Sequence, residues 1–245
     1  MSAKPMVMKY FFVCLALVIF GAPSAYAGGN PRYASLVIDA DSGTVLHAEN
    51  ANARRYPASL TKMMTLYLAF EAMRNGKMTL DTKMPVSKKA ASMPQTNISL
   101  RAGQTITLRQ AIDALVVRSA NDVAVVVAEY LGKTEWGFGL KMTSKARELG
   151  MTSTVFRNAS GLPDAKQYST ARDLAVLAIA LRRHFPEYYN HFKTTRFTYN
   201  GRTYYSHNRV VGRLKGADGL KTGYIRASGF NLVTSAQREG RKLVG

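Results

Sequence analysis

The arrangement of strand-like and helix-like segments along the chain is the feature that most constrains its fold. Alternating apolar residues bounded by turn residues predict strands near both ends, and apolar residues at helical spacing predict helices between them. The predicted strands span residues 35–39, 45–48, 195–199, 202–206, 219–224, 230–236 and 242–244. The predicted helices span residues 59–75, 107–118, 122–131, 134–149 and 170–185. The simplest packing is an α+β fold, in which one antiparallel sheet uses strands from both chain ends and the helices gather centrally and on its faces.

Shorter signals add two local predictions. Strand-like pieces occur near residues 84–86 and 98–100, within an otherwise irregular region. Ser169 precedes the last helix and belongs to the residue types that cap helix N-termini. No internal repeat or low-complexity block interrupts the pattern, so we expect one domain after the N-terminal segment.

The N-terminal segment has the features of a secretory signal peptide. Lys4 and Lys9 supply its positive charge, residues 11–21 form an apolar run, and Ala25-Tyr26-Ala27 fits a small-x-small cleavage site. The apolar run is shorter than the roughly 20 residues that a membrane-spanning helix needs. We therefore expect a signal peptide at residues 1–27, a mature domain at 28–245, and a periplasmic or other extracytoplasmic location. An uncleaved anchor is the alternative.

The charge balance indicates which partners a mature domain would meet. The chain has 34 Lys plus Arg against 15 Asp plus Glu, a formal net charge of +19. Such a surface suits an anionic membrane or a polyanion. The export signal and the lack of a zinc-finger or RNA-binding signature argue against nucleic acid. Peripheral association with membrane or wall and a merely solvated basic face both remain open.

Cysteine and histidine usage argues against a metal site and supplies no cofactor signal. The single cysteine, Cys14, lies in the signal segment, so the mature chain would lack disulfides, thiolate nucleophiles and sulfur ligands. The four histidines, His47, His184, His191 and His207, lack the paired helical spacing of metal ligands. We expect neither a metal nor a cofactor.

The first motif that bears on chemistry is Ser59-Leu60-Thr61-Lys62. Residues three apart on a helix share a face, so Ser59 and Lys62 can meet. A serine hydroxyl becomes a useful nucleophile when a neighbour takes its proton, and a lysine whose pKa is lowered can do so. The motif taken alone is weak, because this spacing also occurs by chance.

The second motif, Ser119-Ala120-Asn121, lies between two predicted apolar helices. A short loop there could point both polar side chains inward, so that Ser119 relays a proton and Asn121 binds a substrate amide. The structural alternative is a helix C-cap followed by Asp122 as the next N-cap. The motif by itself favours the structural alternative.

The third motif, Lys221-Thr222-Gly223, falls on a predicted strand. Lysine offers a cation and threonine a hydroxyl, which together suit a carboxylate. Gly223 would allow a substrate backbone to approach closely, and backbone N–H groups here could contribute to an oxyanion hole. An exposed strand end is the structural alternative.

The three motifs together are far more specific than any one. Their order resembles that of penicillin-binding proteins and class A β-lactamases, with Ala120 in place of an aspartate. Longer stretches resemble the D-alanyl-D-alanine carboxypeptidases among the low-molecular-mass penicillin-binding proteins. These stretches are residues 56–62, 158–163, 168–175, 218–224 and 228–233. The resemblance extends over residues 30–245 and implies a β-lactamase/transpeptidase-like fold.

The resemblance implies a serine D-Ala-D-Ala carboxypeptidase that acts on peptidoglycan pentapeptides and is covalently inhibited by β-lactam antibiotics. Ser59 would attack the carbonyl between the terminal D-alanines, Lys62 would accept its proton, and Ser119 would pass the proton to the leaving amine. Water would then hydrolyse the acyl-enzyme.

The resemblance also implies the substrate-binding residues. Asn121 would orient the acyl-side peptide, and Lys221 and Thr222 would hold the terminal carboxylate. Gly223 would keep the strand close to the substrate. The backbone N–H of Tyr224 would join that of Ser59 in the oxyanion hole, although histidine is more usual than Tyr224 at this position.

Three alternatives accompany this prediction. A D,D-endopeptidase that cuts cross-links would use the same residues, and a non-catalytic cell-wall binder would need no Ser59–Lys62 pair. A class A β-lactamase usually deacylates through a glutamate, whereas residues 155–168 contain only Asp164 as an acid. We also expect the domain to continue beyond Gly245, because the chain stops just after a predicted strand begins.

Overall fold

A computed structural model describes residues 32–245. The predicted signal peptide therefore lies outside the described residues. Within the described part of the chain, no helix combines the length and apolar character needed to cross a membrane.

The main sheet joins strands from both ends of the described chain. The strands are β1 (Ser35–Asp39), β2 (Val45–Glu49), β3 (Lys83–Pro85), β4 (Thr105–Thr107), β5 (Arg196–Tyr199), β6 (Arg202–Tyr205), β7 (Ala217–Ile225), β8 (Gly229–Arg238) and β9 (Arg241–Val244). Five of them form an antiparallel sheet in the order β2-β1-β9-β8-β7. The pairs β3–β4 and β5–β6 form two small separate sheets. The predicted α+β fold is thus confirmed, and β7 is an edge strand whose outer side faces other elements.

Helices fill the middle of the chain. They are α1 (Lys62–Arg74), α2 (Lys88–Ala91), α3 (Leu108–Asp113), α4 (Asn121–Gly132), α5 (Glu135–Glu148), α6 (Ala171–His184) and α7 (Pro186–Tyr189). In α4 the first eight residues, Asn121–Ala128, are all buried. Burying each valine side chain there stabilises the fold by roughly 1.5–3 kcal/mol, which explains why this segment is apolar on every face. The two polar residues at its start are therefore held inside the protein.

The predicted helix at 107–118 is present, but it changes from an α-helix to a π-helix in its second half. Thr107 caps α3, with Gln110 completing a capping box, and the regular helix ends at Asp113. A π-helical segment, Ala114–Arg118, follows and ends at Ser119, whose φ of 61° is left-handed. The wider turn changes the direction of the chain before α4 begins.

Two other local predictions were wrong. Residues 98–100 are not a strand, because the N–H groups of Ile98 and Leu100 donate to the Asp122 carboxylate rather than to a neighbouring strand. Thr170, not Ser169, caps α6 by accepting the N–H of Asp173. Ser169 instead donates its N–H to the Arg55 carbonyl, so tertiary pairing decided between two adjacent cap-forming residues.

Candidate active site

Ser59 and Lys62 meet at the entry to α1. Ala58–Thr61 form a single 3₁₀ turn that continues into the helix. The Ser59 Oγ and Lys62 Nζ atoms lie 3.2 Å apart, as the one-turn spacing predicts. Gly161 packs over this turn with a φ of +83°, and a Cβ atom on it would lie only 1.8 Å from the Ala58 carbonyl oxygen. The turn can therefore have this shape only beside a glycine.

The Lys62 amine is held in a form that suits a base. Its side chain is completely buried, and Nζ contacts the Asn121 Oδ1 at 2.8 Å and the Ser160 carbonyl at 2.5 Å. Burial and then the Lys221 charge lower the pKa of Lys62 well below its usual value, while Asp122 opposes them. A neutral amine has two N–H groups for these two oxygens, which leaves its lone pair for Ser59 Oγ.

Ser119 and Asn121 lie near Lys62, at the turn between the π-helical segment and α4. The left-handed conformation of Ser119 ends that segment, and its Oγ is buried without a hydrogen-bond partner among residues 32–245. Both the backbone and the side chain of Asn121 are held by hydrogen bonds. Its backbone N–H donates to the Thr96 carbonyl and its Nδ2 donates to the Pro94 carbonyl. The side chains of this loop thus point inward, and Asn121 links loop 94–97 to Lys62.

Asp122 does not cap α4, as the structural alternative supposed, but lies within its first turn. Its buried carboxylate accepts N–H groups from Ile98, Leu100 and Val123. Burial raises the pKa of Asp122 even though these donors act in the opposite direction. Its contacts hold loop 96–100 against the start of α4.

Strand β7 brings the third motif to Ser59. Lys221 is only 2% exposed, its Nζ donates to the Thr222 carbonyl at 2.8 Å, and burial lowers its pKa to about 7. A Cβ atom on Gly223 would lie 2.9 Å from the Ser59 backbone nitrogen. Glycine is therefore what allows the strand to lie against the 3₁₀ turn. The next residue, Tyr224, is exposed and packs its ring 4.7 Å from that of Phe230.

All eight predicted site residues surround one open cleft of about 1020 Å³. Six of them line it: Ser59, Ser119, Asn121, Thr222, Gly223 and Tyr224. Lys62 and Lys221 lie buried behind its wall. The described residues contain no group of three or more His, Cys, Asp or Glu side chains placed to hold a metal ion.

Sequence reasoning from the motifs did not identify two parts of the cleft. The Ser160 carbonyl, which fixes Lys62, belongs to a stretch noticed only through the family resemblance. The loop Ser206–Val210 also lines the cleft and carries no recognised motif. A backbone carbonyl leaves no residue-type signal, and a loop's position depends on the packing of distant elements.

Comparison with known proteins agrees with the family resemblance of the sequence motifs. A sequence model of the D-alanyl-D-alanine carboxypeptidase family matches residues 32–245. The chain is 32% identical over 243 residues to the D-alanyl-D-alanine carboxypeptidase DacF of Bacillus subtilis, which covers 91% of this chain and 61% of DacF. It is 35% identical over 221 residues to DacA of Escherichia coli, covering 85% of this chain and 54% of DacA. The chain thus spans little more than half the length of these curated relatives.

A solved structure matches in three dimensions as well. Penicillin-binding protein D2 of Listeria monocytogenes, in its cefotaxime-bound form, aligns with a TM-score of 0.77 and 31% identity, covering 86% of each chain. The chain therefore belongs to the D-alanyl-D-alanine carboxypeptidase family of low-molecular-mass penicillin-binding proteins.

Proposed function

We propose that this chain is a serine-type D-Ala-D-Ala carboxypeptidase that removes the terminal D-alanine from peptidoglycan pentapeptides. The observation that carries the proposal is the Lys62 amine, completely buried and 3.2 Å from Ser59 Oγ. A buried amine with a lowered pKa can accept the serine proton near neutral pH. Membership in the family supports the same reaction.

Acylation begins when Ser59 Oγ attacks the carbonyl carbon between the two D-alanines while its proton passes to Lys62. The negative charge that develops on the carbonyl oxygen is stabilised by the backbone N–H groups of Ser59 and Tyr224. Support for this arrangement comes from Gly223, which brings β7 against the Ser59 nitrogen. Two donors from different elements then converge on one oxygen.

The leaving D-alanine must receive a proton as the tetrahedral intermediate collapses. Ser119 is suited to pass it, because this residue lines the cleft and its Oγ is buried without a partner in the described structure. Asn121 holds the acyl-side peptide by its amide and keeps Lys62 in place. Water then attacks the acyl-enzyme carbonyl and gives a proton to Lys62, and Lys62 returns a proton to Ser59 Oγ as the ester bond breaks.

The terminal carboxylate of the substrate binds to Lys221 and Thr222. Free Lys221, with a pKa of about 7, is only partly charged at neutral pH. A bound carboxylate would favour the charged ammonium and raise this pKa again. The Thr222 hydroxyl adds a hydrogen bond from the cleft wall.

We propose that β-lactams acylate Ser59 by the same route. Penicillin-binding protein D2 of Listeria monocytogenes has been solved with cefotaxime and with ampicillin bound. The segment 155–168, which in a class A β-lactamase would supply a deacylating glutamate, contains only Asp164 as an acid. A long-lived adduct is therefore expected rather than rapid turnover.

We also propose an extracytoplasmic compartment, which the N-terminal segment supports. The positive charges at Lys4 and Lys9, the apolar run and the Ala25-Tyr26-Ala27 site support cleavage of residues 1–27 and an extracytoplasmic domain at 28–245. The net charge of +19 supports peripheral association with an anionic membrane or wall.

Mass spectrometry tests the proposal most directly. The protein is incubated with a D-Ala-D-Ala peptide and, separately, with benzylpenicillin. We expect release of one D-alanine and a covalent penicillin adduct on Ser59. Ser59→Ala should remove both, whereas Ser92→Ala, an exposed serine on α2's C-terminal side, should retain both. A wild-type protein with neither product nor adduct would exclude the function.

A further inference from the structure

The loop Ser206–Val210 contributes a histidine to the cleft. His207 lines the same cavity as Ser59, Ser119 and Thr222, although its place in the sequence shows no motif. The loop follows β6 and approaches the cleft from the side of the small β5–β6 sheet. His207 is therefore an ionisable group at the site that the mechanism above does not use.

Arg118 determines the tautomer of this histidine. Its Nη1 lies 3.3 Å from the His207 Nε2. A guanidinium can only donate hydrogen bonds, so Nε2 accepts and the ring proton of neutral His207 resides on Nδ1. Arg118 is itself held by Gln95, whose Oε1 lies 3.4 Å from Nη2, and by the Tyr204 ring, whose centroid is 5.8 Å away.

The contact with Arg118 leaves the other ring nitrogen available. Arg118 is not among the cleft-lining residues, whereas His207 is, so Nε2 is engaged by a residue outside that lining. Among residues 32–245, the hydrogen bond that the structure shows for the ring is this one at Nε2. The Nδ1–H is thus the ring group left for a ligand in the cleft that His207 lines.

The charges around His207 indicate what this N–H would bind. No Asp or Glu is among the cleft-lining residues of the described chain, while Arg209 lines the cleft and Lys221 lies behind it. Burial, Arg118 and Lys221 all lower the pKa of His207, so the ring stays neutral at physiological pH. His207 and Thr222 line the same cleft, so this ring faces the cavity where the substrate carboxylate is expected.

We propose that the Nδ1–H of His207, oriented by Arg118, donates a hydrogen bond to the terminal carboxylate of the substrate. This inference rests on the proposed function, because it takes that carboxylate as the ligand. His207 would act beside Lys221 and Thr222 as a third group that distinguishes a free C-terminal acid from an extended or blocked one.

Paired substrates test the inference. A peptide that ends in D-Ala-D-Ala with a free acid is compared with its C-terminal carboxamide. A hydrogen bond to a charged group is worth enough that His207→Ala should raise KM for the acid about tenfold, with kcat preserved and the amide unaffected. His207→Asn, whose amide N–H can take the place of Nδ1–H, should restore most of the loss. His47→Ala, a histidine of strand β2, is the matched control.

Nitrogen NMR gives a readout that a merely structural role would not change. In the wild type, the His207 Nδ1 should be protonated and Nε2 unprotonated, and Arg118→Met should shift this balance toward Nε2–H. Adding free D-alanyl-D-alanine should perturb Nδ1, and adding its amide should not. An Nε2–H tautomer in the wild type, or equal losses for acid and amide in His207→Ala, would overturn the inference.

The two proposals fail in different ways. If the wild type neither hydrolyses the peptide nor forms a Ser59 adduct, the proposed function fails. The NMR titration with free D-alanyl-D-alanine would still test whether His207 binds a carboxylate. If the enzyme is active and the His207→Ala enzyme matches the wild type on both substrates, only the His207 inference fails.

Discussion

The two walls of the cleft differ in how firmly they hold their lysines. On the helical wall, Lys62 contacts Ser59, Asn121 and the Ser160 carbonyl, and its side chain is completely buried. On the strand wall, the Lys221 amine makes one hydrogen bond within residues 32–245, to the carbonyl of the residue beside it. The strand wall also carries exposed side chains, including Phe230 at 91% exposure.

This difference suits the helical wall to proton transfer and the strand wall to substrate binding. A base must be oriented before the substrate arrives, because each error in its position costs rate. A carboxylate-binding lysine gains its partner from the substrate, so in the free enzyme it needs few contacts. We therefore expect changes on the helical wall to lower kcat and changes on the strand wall to raise KM.

The largest effect should come from Lys62→Ala. Loss of the base should slow acylation of Ser59 by about 10³-fold, while the substrate still binds. Stopped-flow labelling with a fluorescent penicillin would measure the acylation rate, and calorimetry would measure substrate binding separately. Appreciable turnover in this variant would mean that Lys62 is not the base and that the comparison between the walls is wrong.

Gly223→Ala tests the contact between the walls. The added methyl group would lie 2.9 Å from the Ser59 nitrogen, so β7 and the 3₁₀ turn must separate. We expect an acylation rate lower by about 10²-fold, because the oxyanion donors would be misplaced. Gly245→Ala is the control, since its Cβ would meet only ordinary contacts at 3.7 Å. An unchanged rate for Gly223→Ala would mean that the close approach has no part in catalysis.

The pH dependence of KM should arise from titration of Lys221 on the strand wall. Free Lys221, with a pKa of about 7, loses its proton as pH rises above 7, and a neutral amine binds a carboxylate poorly. KM for a free-acid peptide should then rise by up to about tenfold per pH unit between pH 7 and 9. Lys221→Arg should flatten this rise, because a guanidinium stays charged. A wild-type KM that does not change over this range would contradict the assignment.

The smallest effect concerns stability. Burial lowers the pKa of Lys221 in the folded state from an unfolded value of 10.5, so the unfolded chain binds the proton more tightly between pH 7 and 10.5. The resulting loss of stability is greatest at and below pH 7 and vanishes above 10.5. Lys221→Met should therefore raise the free energy of unfolding by about 2 kcal/mol at pH 7 and by less at pH 10. Urea denaturation at both pH values measures this, and a destabilised variant at pH 7 would refute it.

Local patterns in the sequence predicted most of the secondary structure. The apolar spacing that predicted the helices reflects burial of one face or, in α4, of all faces. The Ser59–Lys62 pair was predictable because one helical turn separates the residues and brings their side chains together. The same reasoning erred at residues 98–100, where a distant carboxylate took up the backbone donors.

The amino-acid sequence alone determined the α+β class, the order of elements and the three motifs, since these depend on spacing within a few turns or strands. Only the tertiary structure decided the contacts that assemble the cleft. Lys62 meets Asn121 across 59 residues of sequence and Ser160 across 98, and the π-helical segment turns Ser119 inward. Arg118 likewise orients His207 from 89 residues away. Such contacts arise from the packing of whole elements, which no short stretch of sequence encodes by itself.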